Sequence, residues 1–301
     1  YLEAIERFKQ AVVEGDPAVY GKTLIPESWY QMGVAYYKLS SPDHTGGKYN
    51  YYYEGALCFN RIVERYAQAD FASDAGYYAT KLFGALFDQT RKRVDLGQLD
   101  EANKQHDGRR YYRALEQFAQ QFPKDPRAED TIFQSAEVAR ALEQYTDASG
   151  IYASIKQDHP RYYEAKFRAG LCLYLQALKL FEEQQENTPV DRIGSLLDGA
   201  IKRYRDFIKW YDENKEWIGS EQLQEVNRWI VRVKISYGKL LVHRVWAGTR
   251  SAEKGAKEAL EVLQNVEEEH FSDPGREELR SQFLPQAFFV KIQAYRRLDQ
   301  L

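Results

Sequence analysis

Apolar positions recur along this chain with the period of an α-helix. Between 161 and 184, Tyr163, Phe167, Gly170, Leu171, Tyr174, Ala177, Leu178 and Phe181 follow the i, i+4, i+7, i+8 template, while Ala165, Ala169, Cys172 and Leu173 fill a second side. A helix apolar on two sides belongs between neighbours. From 190 to 213, Ile193, Leu196, Leu197, Ala200, Ile201, Tyr204, Phe207, Ile208 and Tyr211 form one stripe, with Lys202, Arg203, Arg205 and Asp206 away from it, which predicts one wet face. The same reading predicts a first helix near 2–14 and pairs near 26–40 and 51–67, 71–91 and 108–122, 126–143 and 146–158, 161–184 and 190–213, and 220–246 and 251–269. A last helix is expected near 278–299. The nine prolines leave 43–122 and 190–273 free of proline, which favours helix. No Asn-Gly or Asp-Gly pair sits between alternating apolar runs. Asp107-Gly108 falls between two helical patterns, within a stretch, 93–108, that reads as a loop insertion like 40–50.

A length of 301 residues admits one elongated or two compact domains, and 44% hydrophobic with 29% charged residues describes a chain that folds, not a disordered tail. The net charge of −3 supplies no general attraction to nucleic acid or an anionic membrane. Two short basic clusters, Arg91-Lys92-Arg93 and Arg109-Arg110 with Arg113, read as solvated helix faces and loops, a phosphate site being the lesser reading. The two cysteines, Cys58 and Cys172, lie in apolar helical patterns and are expected as buried free thiols. No segment has the roughly 20 apolar residues of a membrane-spanning helix, and the first residues read as an amphipathic helix, not a signal peptide. Both cytoplasm and periplasm suit such a segment. Because it begins at tyrosine, the chain is expected to be a fragment of a longer one.

Internal repetition carries the most information. The second helix of each pair has a small residue, an aromatic or apolar residue four later, an apolar residue three beyond, and a stop five after that. Ala148, Tyr152, Ile155 and Pro160 show it fully. The spacing recurs at Ala4, Phe8, Ala11 and Asp16; at Gly55, Phe59, Ile62 and Ala67; at Ala200, Tyr204, Phe207 and Asp212; and at Ala259, Leu263, Val266 and Phe271. Tyr111, Leu115, Phe118 and Pro123 keep the spacing without the small residue. First helices carry Trp29, Met32, Gly33 and Tyr36, with weaker copies at Ile132, Ser135, Ala136 and Ala139; Lys166, Ala169, Gly170 and Leu173; and Lys234, Tyr237, Gly238 and Leu241. A glycine inside a helix costs about 1 kcal/mol relative to alanine, so Gly33, Gly170 and Gly238 are expected where a neighbouring helix comes close.

Together these patterns resemble the tetratricopeptide-repeat family. The resemblance implies an all-α, right-handed superhelical solenoid of antiparallel helix hairpins. It spans 1–301 as a single domain with a leading half repeat at 2–14, hairpins at 26–67, 71–122, 126–158, 161–213 and 220–269, and a final helix at 278–299. The repeat anchors at 4, 55, 111, 148, 200 and 259 are separated by 51, 56, 37, 52 and 59 residues. The family unit is about 34, so an irregular relative is as good a description as a strict member. The "FP" and "HP" endings at Pro123 and Pro160 are similar to bacterial versions found in cell-envelope assembly lipoproteins and cell-division coordinators.

Motifs for catalysis, nucleotide binding or metal binding are missing, and the five histidines stand singly. "EEEH", ending at His270, reads as a solvated helix end. No enzyme activity, metal or cofactor is expected. Tyrosine is the compositional outlier, at 23 residues; beyond packing positions, clusters at Tyr49, Tyr51, Tyr52 and Tyr53, at Tyr111 and Tyr112, and at Tyr162 and Tyr163 are candidates for contact. In the family, first helices line a concave groove. Carried onto this chain, that surface gives Glu27, Tyr30, Val34, Tyr37 and Lys38; Asp130, Phe133, Glu137, Arg140 and Ala141; and Glu164, Phe167, Leu171, Tyr174 and Leu175. Phe167, Leu171 and Tyr174 also belong to the strongest core stripe. Tyr30, Tyr37, Lys38, Phe133, Arg140 and Tyr174 are the expected partner contacts. The function so implied is a non-catalytic scaffold or adaptor for a protein or peptide, with no nucleic-acid or membrane contact; the alternative is a structural subunit packing with flanking repeats or copies of itself.

Overall fold

The helical period is realised as twelve α-helices in a computed structural model that describes residues 1–15, 23–40, 51–183, 190–244, 252–272 and 276–299, with no strand among them. They are α1 (Leu2–Glu14), α2 (Leu24–Leu39), α3 (Tyr52–Arg65), α4 (Ala72–Asp95), α5 (Glu101–Gln121), α6 (Ala128–Ala141), α7 (Tyr145–Ser154), α8 (Tyr162–Glu183), α9 (Val190–Asn214), α10 (Ser220–Arg244), α11 (Ala252–Val266) and α12 (Glu277–Asp299). The expected insertion at 40–50, with His44 and Tyr49, lies almost wholly outside the described residues, as does the stop at Asp16.

Two compact units divide the chain, 1–142 and 143–301, and the expected hairpin at 126–158 spans the division. In the N-terminal unit each helix from α1 to α6 packs on the next; in the C-terminal unit α7 to α12 do the same, with α10 also touching α8 and α12. Core residues are those of the stripes: Phe59, Ile62, Ala75, Ala79 and Leu82 in the first unit, and Leu197, Tyr204, Val233, Leu240, Leu263 and Val290 in the second.

The internal glycines do what their cost predicts. A Cβ on Gly33 would stand 2.8 Å from the Phe59 ring, and one on Gly170 would stand 2.8 Å from Tyr204 Cδ1 and nearer still to Cε1. Gly238 faces Leu263 at 3.4 Å, an ordinary contact. The partner in all three is the residue four after the small anchor of the second helix, so one register recurs in three hairpins. Where Tyr111 replaces the small anchor, Gly84 supplies the space from the other helix, its hypothetical Cβ lying 2.9 Å from Tyr111 Cζ.

A second recurrence lies in the backbone between hairpins. Ala69, Asp125 and His159 each donate their N–H to the carbonyl three residues back, and each accepts at its own carbonyl from the N–H three residues on, at 2.8–3.2 Å. The side chains of Asp125 and His159 serve identically there: Asp125 Oδ1 accepts from Arg127 N at 2.9 Å and His159 Nδ1 accepts from Arg161 N at 3.0 Å. A short polar acceptor closes the turn before the next helix starts.

Several expectations are corrected. Only 96–100 of the stretch 93–108 is a loop: α4 runs to Asp95 and α5 begins at Glu101, where Asp100 accepts from Asn103 N as an N-cap, so Asp107-Gly108 is interior helix. Gly108 is buried there against Phe87 and Leu142, a packing reason that outweighs its turn preference. Helix α7 ends at Ser154, where Ile155 turns to extended backbone, several residues short of the predicted 158. His270 is not solvated: it is 1% exposed inside a π-helical turn, Glu267–Phe271, that follows α11. One residue more per turn rotates it inward toward the Tyr211 ring, 6.3 Å between centroids.

Candidate interaction site

The six expected contacts separate into exposed and buried groups. Tyr30, Tyr37 and Lys38 lie on α2, and Tyr37 is 57% exposed. Tyr30 and Tyr37 are seven residues, two turns, apart and share a side of the helix. Lys38 Nζ is 5.8 Å from the Tyr1 ring centre. Tyr30 is half-buried and meets Phe59, Phe71 and Tyr78 edge-on, at 5.4, 5.2 and 6.4 Å. Tyr78 of α4 is itself 43% exposed. The result is a row of rings crossing from α2 to α4, anchored on buried Phe59 and open on its outer side.

Phe133 and Tyr174 are corrections to the expected surface. Phe133 is fully buried, so its ring is core. Tyr174 is 7% exposed and its hydroxyl lies 2.9 Å from His243 Nδ1, where burial raises its pKa to about 12. Arg140 is half-buried and pairs with Glu137 at 3.2 Å, so its charge is already engaged on α6. Among the tyrosine clusters, Tyr53 carries Arg110 over its ring at 4.4 Å, and the hydroxyl of Tyr111 donates to Gln134 at 3.1 Å. Arg110 also pairs with Asp107 at 3.3 Å, so this part of the basic cluster packs within the fold.

Buried chemistry elsewhere is inert or structural. Cys58 and Cys172 are buried thiols, and burial pushes Cys58 up to about 12, away from thiolate reactivity. Asp125 accepts two side-chain hydrogen bonds from Arg127, at 2.8 and 2.7 Å, and one from Ser73, which hold its carboxyl far below the ordinary range. Arg127 also reaches Asp74 at 2.9 Å and lies over the Tyr77 ring at 4.6 Å. Among the described residues no group of histidine, cysteine or carboxylate side chains could hold a metal ion, and no helix is long and apolar enough to cross a membrane.

Two grooves escaped the pattern of helix stripes. One, of about 370 Å³, is lined by Lys9 of α1, Trp29, Met32 and Tyr36 of α2, and Glu54, Cys58, Arg61 and Glu64 of α3. The other, of about 220 Å³, is lined by Ala153 of α7, Tyr162, Lys166 and Ala169 of α8, and Arg203, Asp206 and Trp210 of α9. They occupy one repeat position. Lys9 and Ala153 each follow the small anchor by five residues, Trp29 and Lys166 each precede the helix glycine by four, and Cys58 and Arg203 each follow the next anchor by three. The single sequence signal was a lysine standing where another hairpin has tryptophan.

No protein-family model matches the chain, and no curated protein matches it. Among solved structures it is similar to a circular tandem repeat protein with novel repeat topology and enhanced subunit contact surfaces, at 13% identity over 99% of this chain and 71% of that chain, with a TM-score of 0.40.

Proposed function

We propose that the chain is a non-catalytic helical-repeat scaffold, a tetratricopeptide-like right-handed solenoid in architecture, that holds a peptide or protein segment on the first-helix surface of its N-terminal unit. The observation that carries this reading is the pair of exposed rings, Tyr37 and Tyr78, flanking half-buried Tyr30, which meets Tyr78 edge-on and lies two turns from Tyr37 on α2. Large rings left open to water on a packed helical base have little rotamer freedom to lose on binding, which is the physical profile of an interface anchor. The recurring glycine-to-ring register supports the repeat architecture. The test is photo-crosslinking in native lysate with a benzoylphenylalanine at position 37, beside the same group at Trp217, which is 85% exposed in the other unit. A product specific to position 37 that disappears with Tyr78→Ala is expected. Equal labelling at both positions, or labelling indifferent to Tyr78, would sink the proposal.

A second reading, a structural subunit packing with copies of itself, is favoured by α12. There Phe288, Phe289, Ile292 and Tyr295 are 51, 58, 50 and 56% exposed along one side. Light scattering at rising concentration distinguishes it: association abolished by Ile292→Glu supports self-packing, and a monomer throughout removes it.

A further inference from the structure

The C-terminal groove differs from its N-terminal counterpart in charge. In the N-terminal one the cations are neutralised locally, Lys9 by Glu6 at 2.8 Å and Arg61 by Glu64 at 3.8 Å, and Trp29 is part of the lining. In the C-terminal one Lys166 and Arg203 are both half-buried. Lys166 donates to the Ala153 carbonyl at 2.9 Å and lies over the Tyr162 ring at 4.8 Å, and neither cation forms a salt bridge among the described residues. Asp206, exposed at the edge, is the single carboxylate lining the groove. Burial pulls the pKa of each cation down, and the Arg203 charge adds to the effect on Lys166. The bond to the Ala153 carbonyl and the Tyr162 ring offset part of that penalty at Lys166, and Asp206 opposes it at Arg203.

The next hairpin shows how this fold satisfies a lysine at the same register. Lys234 precedes Gly238 by four residues, as Lys166 precedes Gly170. Lys234 is buried and ion-paired at 2.5 Å with Glu269, which follows the small anchor Ala259 by ten residues. Ten residues after the corresponding anchor, Ala200, stands Trp210. Trp210 is a half-buried ring set against Tyr163 and Phe207 at 5.4 and 5.8 Å, with Tyr162 at 6.2 Å. Where one hairpin supplies its own carboxylate, the other presents an aromatic wall and a second cation.

We propose that the groove between α7, α8 and α9 binds the carboxylate of an acidic peptide side chain, its oxygens taken by Lys166 and Arg203 and its aliphatic stem lying against Trp210 and Tyr162. Arginine suits a planar carboxylate, and removal from bulk water strengthens the pairing. The volume matches one side chain, not a folded partner. This site lies in the other unit from the ring row and stands independently of the scaffold reading.

The experiment follows the indole N–H resonance of Trp210, assigned by its loss in Trp210→Phe, in the 301-residue chain at low salt. The probes are acetylated, amidated tri-glutamate, the matching tri-glutamine peptide, and inorganic phosphate. Tri-glutamate is expected to shift the resonance saturably and tri-glutamine to leave it unmoved. Arg203→Gln and Lys166→Gln, each checked for native helical circular dichroism, should weaken binding about tenfold or more, and Arg203→Lys, which keeps the charge but not the planar fork, about threefold to fivefold. Lys202→Gln, which removes an exposed charge beside the groove, should change it less than twofold. No shift with tri-glutamate, equal weakening by Lys202→Gln, or a response to phosphate alone overturns the carboxylate assignment. If a glutamine variant loses its fold, the Arg203→Lys and Lys202→Gln comparison still decides.

Discussion

Gly170 and Gly238 have the same place in the repeat and different room. A methyl group on Gly170 would sit inside the Tyr204 ring envelope, with Tyr204 itself only 1% exposed and unable to swing away. Gly170→Ala is therefore expected to destabilise the fold by about 1–3 kcal/mol through overpacking. Gly238→Ala meets Leu263 at normal contact distance, so the gain in helix propensity, up to about 1 kcal/mol, should leave stability level or raised. Thermal denaturation of the two variants side by side checks the contrast; equal effects would remove the close-approach explanation. The glycines themselves were legible in the sequence, because a helix interior tolerates them only for a reason. Their differing tightness was not, because it depends on whether a ring or a branched aliphatic side chain arrives from the neighbour.

The elements show the same division between pattern and geometry. Helix existence followed from period, and the recurring turn before α6 and α8 followed from residues whose roles appear only in the fold. Asp125 and His159 are unlike in chemistry, yet both accept the N–H two residues on. Asp125→Ala leaves Arg127 without a carboxylate that is 9% exposed, and hydrogen bonds to charged groups contribute about 1.5–3 kcal/mol. A loss of about that size is expected, measured by urea denaturation, with Asp125→Asn retaining part of it through the turn acceptor. A drop below about 0.5 kcal/mol would reduce the network to a solvated pair. Helix α5 was missed over its first seven residues because 101–107 is polar and carries no stripe. Its N-cap, Asp100, was the available signal.

At the scale of the whole molecule, acid sensitivity follows from half-buried His243 and buried His270. His243, facing Tyr174, Lys239 and Arg297, and His270, facing Tyr211, Lys215, Lys234, Glu269 and Arg276, are each lowered to about 4, chiefly by burial. With unfolded values near 6.5, the unfolded chain binds more protons between about pH 4 and 6.5. Stability is therefore complete above 6.5, falls as pH drops through that window, and loses nothing further to these groups below 4. The depressed carboxyls of Asp125 and Glu269 act in the same direction at still lower pH. Melting temperature against pH should show the upper step, and His243→Gln should flatten it; a level profile from 7 to 4.5 would contradict the desolvation of both rings.

What the sequence determined by itself was the all-helical class, the positions of most helices, the small-residue register and the buried thiols. Each is a local or periodic property, readable because burial repeats every three to four residues. The tertiary structure alone decided the division into two units, the burial of Phe133, Tyr174 and His270, and the joining of Lys166, Arg203 and Trp210 in one groove. Stripes state that a residue faces something, but exposure depends on which neighbour arrives and how far it extends. Charge balance in a groove depends on side chains from three helices, and no spacing along one of them records the sum.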